Sequence, residues 1–239
     1  MVKYVRDMTG RFSMRPFYEE AELDQECERI IAEFMEERCG GLSLPIPTDV
    51  LTKLIERDAE DLDLYADLST EGDDVQGVTD FYPGQKPQVR ISEELSREDL
   101  SSHRLRTTLT HEYGHVKFHG FLWDQLLLSI ALFPDLTNST SPKCKRESIL
   151  GAPMSDWMEW QAGYICGALL MPIRSVKWLV ANHFEQHHLY GPLNVNSLQA
   201  VRLRNKIASH FDVSRDAARV RLMKLGYLTN ASVGPSLFG

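Results

Sequence analysis

The part of this chain that can do chemistry is His111-Glu112-Tyr113-Gly114-His115, two histidines four residues apart with a glutamate beside the first. On a helix, side chains at i and i+4 lie on one face about one turn apart. Two imidazoles at that spacing can hold one divalent ion, and Glu112 then stands close enough to take a proton from a water on that ion. Chemistry of this kind hydrolyses amide bonds. A catalytic zinc needs a third protein ligand and an open position for water. The candidate is Glu159, in Asp156-Trp157-Met158-Glu159-Trp160-Gln161-Ala162. On a helix Glu159 shares its face with Ala162, Gly163 and Cys166, and such a row of small residues lets two helix backbones approach closely. The flanking Trp157 and Trp160 argue that this helix is buried, whereas a lone Glu on an exposed helix would meet only solvent.

Other side chains compete for these roles. His119 extends the series 111, 115, 119 by one more turn and is expected behind the ligands or at the surface. His183 and His187 are also four apart, but position 184 is Phe, which offers no base, so a solvated helix face is expected. His103 is expected at the surface. Cys166 shares the Glu159 face; a small buried core residue is the expectation, with a thiolate near the metal as the alternative. Tyr113, Tyr164 and His183 are unranked candidates for stabilising an oxyanion.

The elements that must position these groups follow from periodicity and caps. A helix is expected over Phe17 to Cys39, stopped by Gly40-Gly41, and a short one from a Thr48 cap to about Arg57. Strands are expected over Asp61 to Ser69, Val75 to Tyr82 and Gln88 to Ser92, the last two joined by Pro83-Gly84. Gln88 to Ser92 is the candidate edge strand for adding extended substrate. The motif helix should start near Ser101 or Ser102 and end at Gly120, with Leu105, Leu109 and Val116 as its buried stripe. Residues 121–154 look loop-like with a short apolar element. Ser155 should cap a helix to Leu170, limited by Pro172; another should follow to about His188, and two more should cover about 197–210 and 215–225.

At 239 residues, with 43% hydrophobic and 25% charged residues, the composition is that of a soluble globular protein. Met1 to Arg15 has four basic residues but no apolar run behind them, so no signal peptide is expected. The longest apolar stretch, Phe121 to Pro134, is too short to span a bilayer and contains Asp124. Cys27, Cys39, Cys144 and Cys166 show no C-x-x-C spacing, which points to a reducing cytoplasm rather than a disulfide framework or a zinc ribbon. The net charge of −8 is unevenly spread. Residues 1–100 hold 25 acidic and 11 basic residues, largely as the solvated faces of N-terminal helices.

Taken together, Arg106-Thr107-Thr108-Leu109-Thr110-His111-Glu112-Tyr113-Gly114-His115, Glu159-Trp160-Gln161-Ala162 and Leu169-Leu170-Met171-Pro172 resemble the ImmA/IrrE metallopeptidases. The tail Phe211-Asp212-Val213-Ser214, with Ala218 and Arg221-Leu222-Met223-Lys224-Leu225-Gly226, extends the resemblance to about residues 45–228. It implies an α+β fold with a zincin-like core, a small mixed sheet packed on the H-E-x-x-H helix and on a glutamate-ligand helix. It implies zinc, with manganese as the alternative, held by His111, His115 and Glu159, and Glu112 as general base. It also implies limited cleavage of a regulatory protein, typically a helix-turn-helix repressor encoded nearby. The expected organisation is an N-terminal helical segment (1–44), the peptidase domain (45–192) and a C-terminal helical segment (193–239). Two departures stand out: Gly163 occupies a position where the family usually has Asn or Asp, and the interval between His115 and Glu159 is long, with Phe121 to Pro153 as an insertion that could cover the cleft.

The alternative class is a DNA-binding regulator. Ile207 to Leu228 has the pattern of a helix-turn-helix, with Ala218, Leu222 and Leu225 inward and Arg215, Arg219, Arg221 and Lys224 outward. Residues 197–228 carry seven basic and two acidic residues. A single such helix pair on an acidic protein grips nucleic acid weakly unless it dimerises, so a protein partner is favoured over nucleic acid. A catalytically silent repressor-binding module is the remaining reading, against which the intact His111, Glu112, His115 and Glu159 stand.

Overall fold

The computed structural model describes residues 3–72, 74–97, 102–132, 143–146 and 156–230. The fold is α+β, with eight helices and small sheets among the described residues. The chain opens with a hairpin that the sequence did not announce, β1 (Lys3–Arg6) and β2 (Met14–Phe17). Helix α1 (Glu20–Cys39) follows, closed at its start by reciprocal hydrogen bonds between Glu19 and Glu22, and buries Leu23, Cys27, Ile30, Ile31, Phe34 and Met35 on one face. In α2 (Thr48–Asp58), Pro47 rather than Thr48 occupies the capping position. The Thr48 hydroxyl instead accepts a hydrogen bond from Arg106 at 3.3 Å.

The central sheet consists of β3 (Asp61–Ala66), β4 (Gly77–Asp80), β5 (Gln88–Ser92) and β6 (Lys143–Arg146), in the order β3-β5-β4-β6. Strand β3 runs parallel to β5, and the other two pairings are antiparallel. The expected edge role of Gln88 to Ser92 is therefore wrong. Strand β5 is hydrogen-bonded on both sides, and its residues 89 and 91 are buried, so it has no free edge for a substrate. Of the described strands it is β3 and β6 that flank the sheet, and β3 keeps acidic residues on its outer face, as edge strands do.

After the short α3 (Glu93–Arg97), the motif helix α4 runs from Ser102 to Leu132, twelve residues past the expected stop at Gly120. Packing overrides the local breaker. Beyond Gly120, Leu122 and Trp123 enter a second apolar cluster with Phe81, Trp157 and Met158, and that burial outweighs a glycine penalty of about 1 kcal/mol. The first part of the expected loop 121–154 is thus helix and residues 143–146 are strand. The remainder of that loop, and the expected Ser155 cap after it, lie outside the described residues.

Helix α5 (Trp157–Leu170) starts instead from Asp156, whose carboxylate accepts from the Met158 N–H at 3.1 Å. Then come α6 (Ile173–Gln186), β7 (Leu193–Asn194), α7 (Leu198–Phe211), α8 (Arg215–Lys224) and β8 (Leu228–Thr229). Ser197 and Ser214 cap α7 and α8 through their hydroxyls. One hydrophobic core runs from Leu23 on α1 through Leu109, Ile165 and Leu169 to Leu222 and Leu228. Arg106, 2% exposed, stitches its parts together by donating to the carbonyls of Ile46, Phe211 and Asp212. No single helix among the described residues is long and apolar enough to cross a membrane.

Candidate metal centre and active site

Between Thr108 and Val116, α4 is buried on every side, so its histidines project into protein. His111 and His115 are almost fully enclosed, while the Glu159 side chain in the first turn of α5 keeps 20% of its surface open. The two helices approach closely at small side chains. A Cβ on Gly114 would lie 3.2 Å from the Ala162 Cα, so this glycine permits the contact. One turn away the Thr110 hydroxyl donates to Cys166 Sγ at 3.2 Å, and that thiol donates to the Thr107 carbonyl at 3.4 Å. Ala162 and Cys166 therefore do line the interface, Cys166 as a core residue. Gly163 does not, since a Cβ there would meet nothing within 4 Å.

The approach gathers the predicted ligands. His111 Nε2 is 3.1 Å from Glu159 Oε2, His115 Nε2 is 3.3 Å from Glu159 Oε1, and the two Nε2 atoms are 3.2 Å apart. One ligand atom from each residue lies within 4.8 Å of the others, and no other group of three such side chains gathers among the described residues. Burial works to raise the Glu159 carboxyl, yet the histidines His115 and His111 beside it hold it well below the usual carboxylate range. Lewis-basic atoms converging on one point, with an ionised carboxylate among them, can bind a metal ion.

Glu112 is fully buried against the sheet. The Thr79 hydroxyl of β4 donates to its Oε2 at 2.6 Å. Strand β4 can lie this close only because position 77 has no side chain: a Cβ there would sit 2.6 Å from Glu112 Oε1 and 2.8 Å from Thr108 Cγ2. Neither neighbour yields easily, since Glu112 is pinned by Thr79 and Thr108 is stiff at χ1. Gly77→Ala is expected to destabilise the protein by about 1–3 kcal/mol, read as a lowered urea midpoint. An unchanged midpoint would mean that strand and carboxylate separate freely.

His119, placed behind the ligands or at the surface by its spacing, lies behind them and is fully buried. Its Nδ1 is 3.0 Å from His115 Nδ1, and its Nε2 donates to Gln161 Oε1 at 3.0 Å. Burial pushes its pKa down to about 3, and the neighbouring His115 adds to the shift. The ring meets Trp157 edge-on at 5.5 Å, and Asp7 in the N-terminal hairpin accepts from the Trp157 indole N–H at 3.0 Å. Sequence reasoning missed Thr79, Gln161 and Asp7. Thr79 and Asp7 belong to no local motif, and Gln161 stands inside the Glu159-Trp160-Gln161-Ala162 segment without its spacing showing that it would meet His119.

The remaining candidates sit elsewhere. The Tyr113 hydroxyl donates to Asp58 at 2.8 Å, and the Tyr164 hydroxyl donates to Asp24 at 2.9 Å, so both are committed to other contacts. His103 is half-exposed and 3.0 Å from Asp212 Oδ1. The expectation of a solvated face fails for His183, which is 4% exposed and faces α7 next to Gln199, with the exposed His187 against its ring. Arg221, expected outward on a recognition helix, is also buried: it pairs with Asp24 of α1 and donates to the Met171 carbonyl. In comparisons with known proteins, no protein-family model and no curated protein matches this chain.

Proposed function

We propose that this chain is a metal-dependent endopeptidase with a zincin-like core, of the kind the ImmA/IrrE resemblance implies, which makes limited cleavages in a regulatory protein such as a helix-turn-helix repressor. The observation that carries this reading is the convergence of His111, His115 and Glu159 from two helices, with Glu112 buried alongside. Two imidazoles and a carboxylate form a donor set of catalytic zinc sites, and manganese is the alternative ion. An ion held there supplies the positive charge that acidifies a water and polarises a scissile carbonyl. Glu112 acts as general base, taking the proton of the attacking water and passing it to the leaving nitrogen. Thr79 orients the carboxylate for that role through its hydrogen bond to Oε2. The partly open Glu159 marks the side from which substrate reaches the centre.

Elemental analysis of protein purified without chelator is expected to find about one zinc or manganese per chain. Glu159→Ala should lower that occupancy markedly, because two ligands remain where three are needed. Full occupancy in Glu159→Ala, with metal lost from His183→Ala instead, would overturn the ligand assignment.

A further inference from the structure

A directional hydrogen-bond chain lies behind the metal ligands. The Gln161 side-chain oxygen can only accept, so His119 Nε2, 3.0 Å away, carries the hydrogen. A neutral imidazole has one N–H, which leaves His119 Nδ1 as an acceptor. His115 Nδ1 lies 3.0 Å from that atom and must therefore be the donor. The lone pair of His115 is then on Nε2, the atom facing His111 Nε2 and Glu159 Oε1. Gln161, His119 and His115 are each at most 1% exposed, so bulk water cannot take over any link. Trp157, anchored by Asp7, holds the plane of His119 from the side.

On the reading of His111, His115 and Glu159 as metal ligands, we infer that His119, itself oriented by Gln161, is a positioning residue that sets the tautomer and ring orientation of His115 so that Nε2 is presented to the ion. Partners of this kind raise ligand basicity and remove the entropy of a rotating ring, and their loss typically weakens metal binding by about 10–100-fold. Gln161 sits two residues after Glu159 on α5, so one helix delivers both a ligand and the acceptor that orients another ligand.

The test is zinc affinity of the full chain, measured by competition with a chromophoric chelator. Gln161→Met removes the acceptor at similar volume, and His119→Phe removes both ring nitrogens while keeping an aromatic against Trp157. Each is expected to weaken zinc binding by about 10–100-fold. Gln161→Glu retains an acceptor and should stay close to wild type, a recovery that a purely packing role would not produce. Unchanged affinity in Gln161→Met and His119→Phe would overturn the inference, as would Gln161→Glu binding as weakly as Gln161→Met. If His119→Phe fails to fold, the two Gln161 variants decide. Absence of zinc binding by the wild-type chain would instead remove the metal-ligand reading and the inference with it.

Discussion

Glu112→Gln is expected to keep its fold and its metal while peptide-bond cleavage falls by about 10²–10⁴-fold, the usual contribution of a positioned general base. The amide matches the carboxylate in size, and its oxygen can still accept from the Thr79 hydroxyl now 2.6 Å from Oε2, so the buried contact with β4 survives. What the amide cannot do is take a proton from water. Cleavage is best followed by electrophoresis against a candidate helix-turn-helix repressor, with metal content and circular dichroism measured on the same sample. Wild-type rates in the variant would place the base elsewhere. Loss of both metal and fold would show Glu112 to be structural.

The largest expected effect on stability is at Arg221. Its side chain is buried against Asp24, which also accepts from the Tyr164 hydroxyl at 2.9 Å. Arg221→Met leaves the Asp24 carboxylate buried without its cation, at a cost of about 3–5 kcal/mol. Urea denaturation should show this as a lowered midpoint. The double variant Asp24→Leu with Arg221→Met should recover much of the loss, because an ion pair replaced by apolar groups of similar volume is often neutral. If Arg221→Met leaves the midpoint unchanged, the guanidinium faces solvent, as a nucleic-acid-reading helix would require. The pair also bears on the helix-turn-helix pattern of the tail. Helices α7 and α8 form close to their expected bounds, capped by Ser197 and Ser214, but α8 spends Arg221 on the core and keeps Arg215 and Lys224 exposed.

What the sequence by itself determined is whatever depends on residues within a turn or two of one another. His111, Glu112 and His115 are set relative to one another by helix geometry alone, and the caps at Ser197 and Ser214 act on N–H groups three residues ahead. Tertiary structure decided the rest, because the partners lie far apart along the chain. Glu159 reaches the histidines because Gly114 lets α4 approach Ala162 closely; of the small residues Ala162, Gly163 and Cys166 that the pattern places on the Glu159 face, Ala162 and Cys166 meet α4, while a Cβ at Gly163 would meet nothing within 4 Å. Strand β5 became interior because β3 and β4 pair on either side of it, a choice that its alternating pattern does not encode. Helix α4 passes Gly120 because Leu122 and Trp123 find Phe81 and Trp157 to pack on. His119 and Arg221 turned inward because Gln161 and Asp24 wait for them there. A buried polar group requires a partner, and periodicity shows which face a residue occupies but not which partner the fold will bring to it.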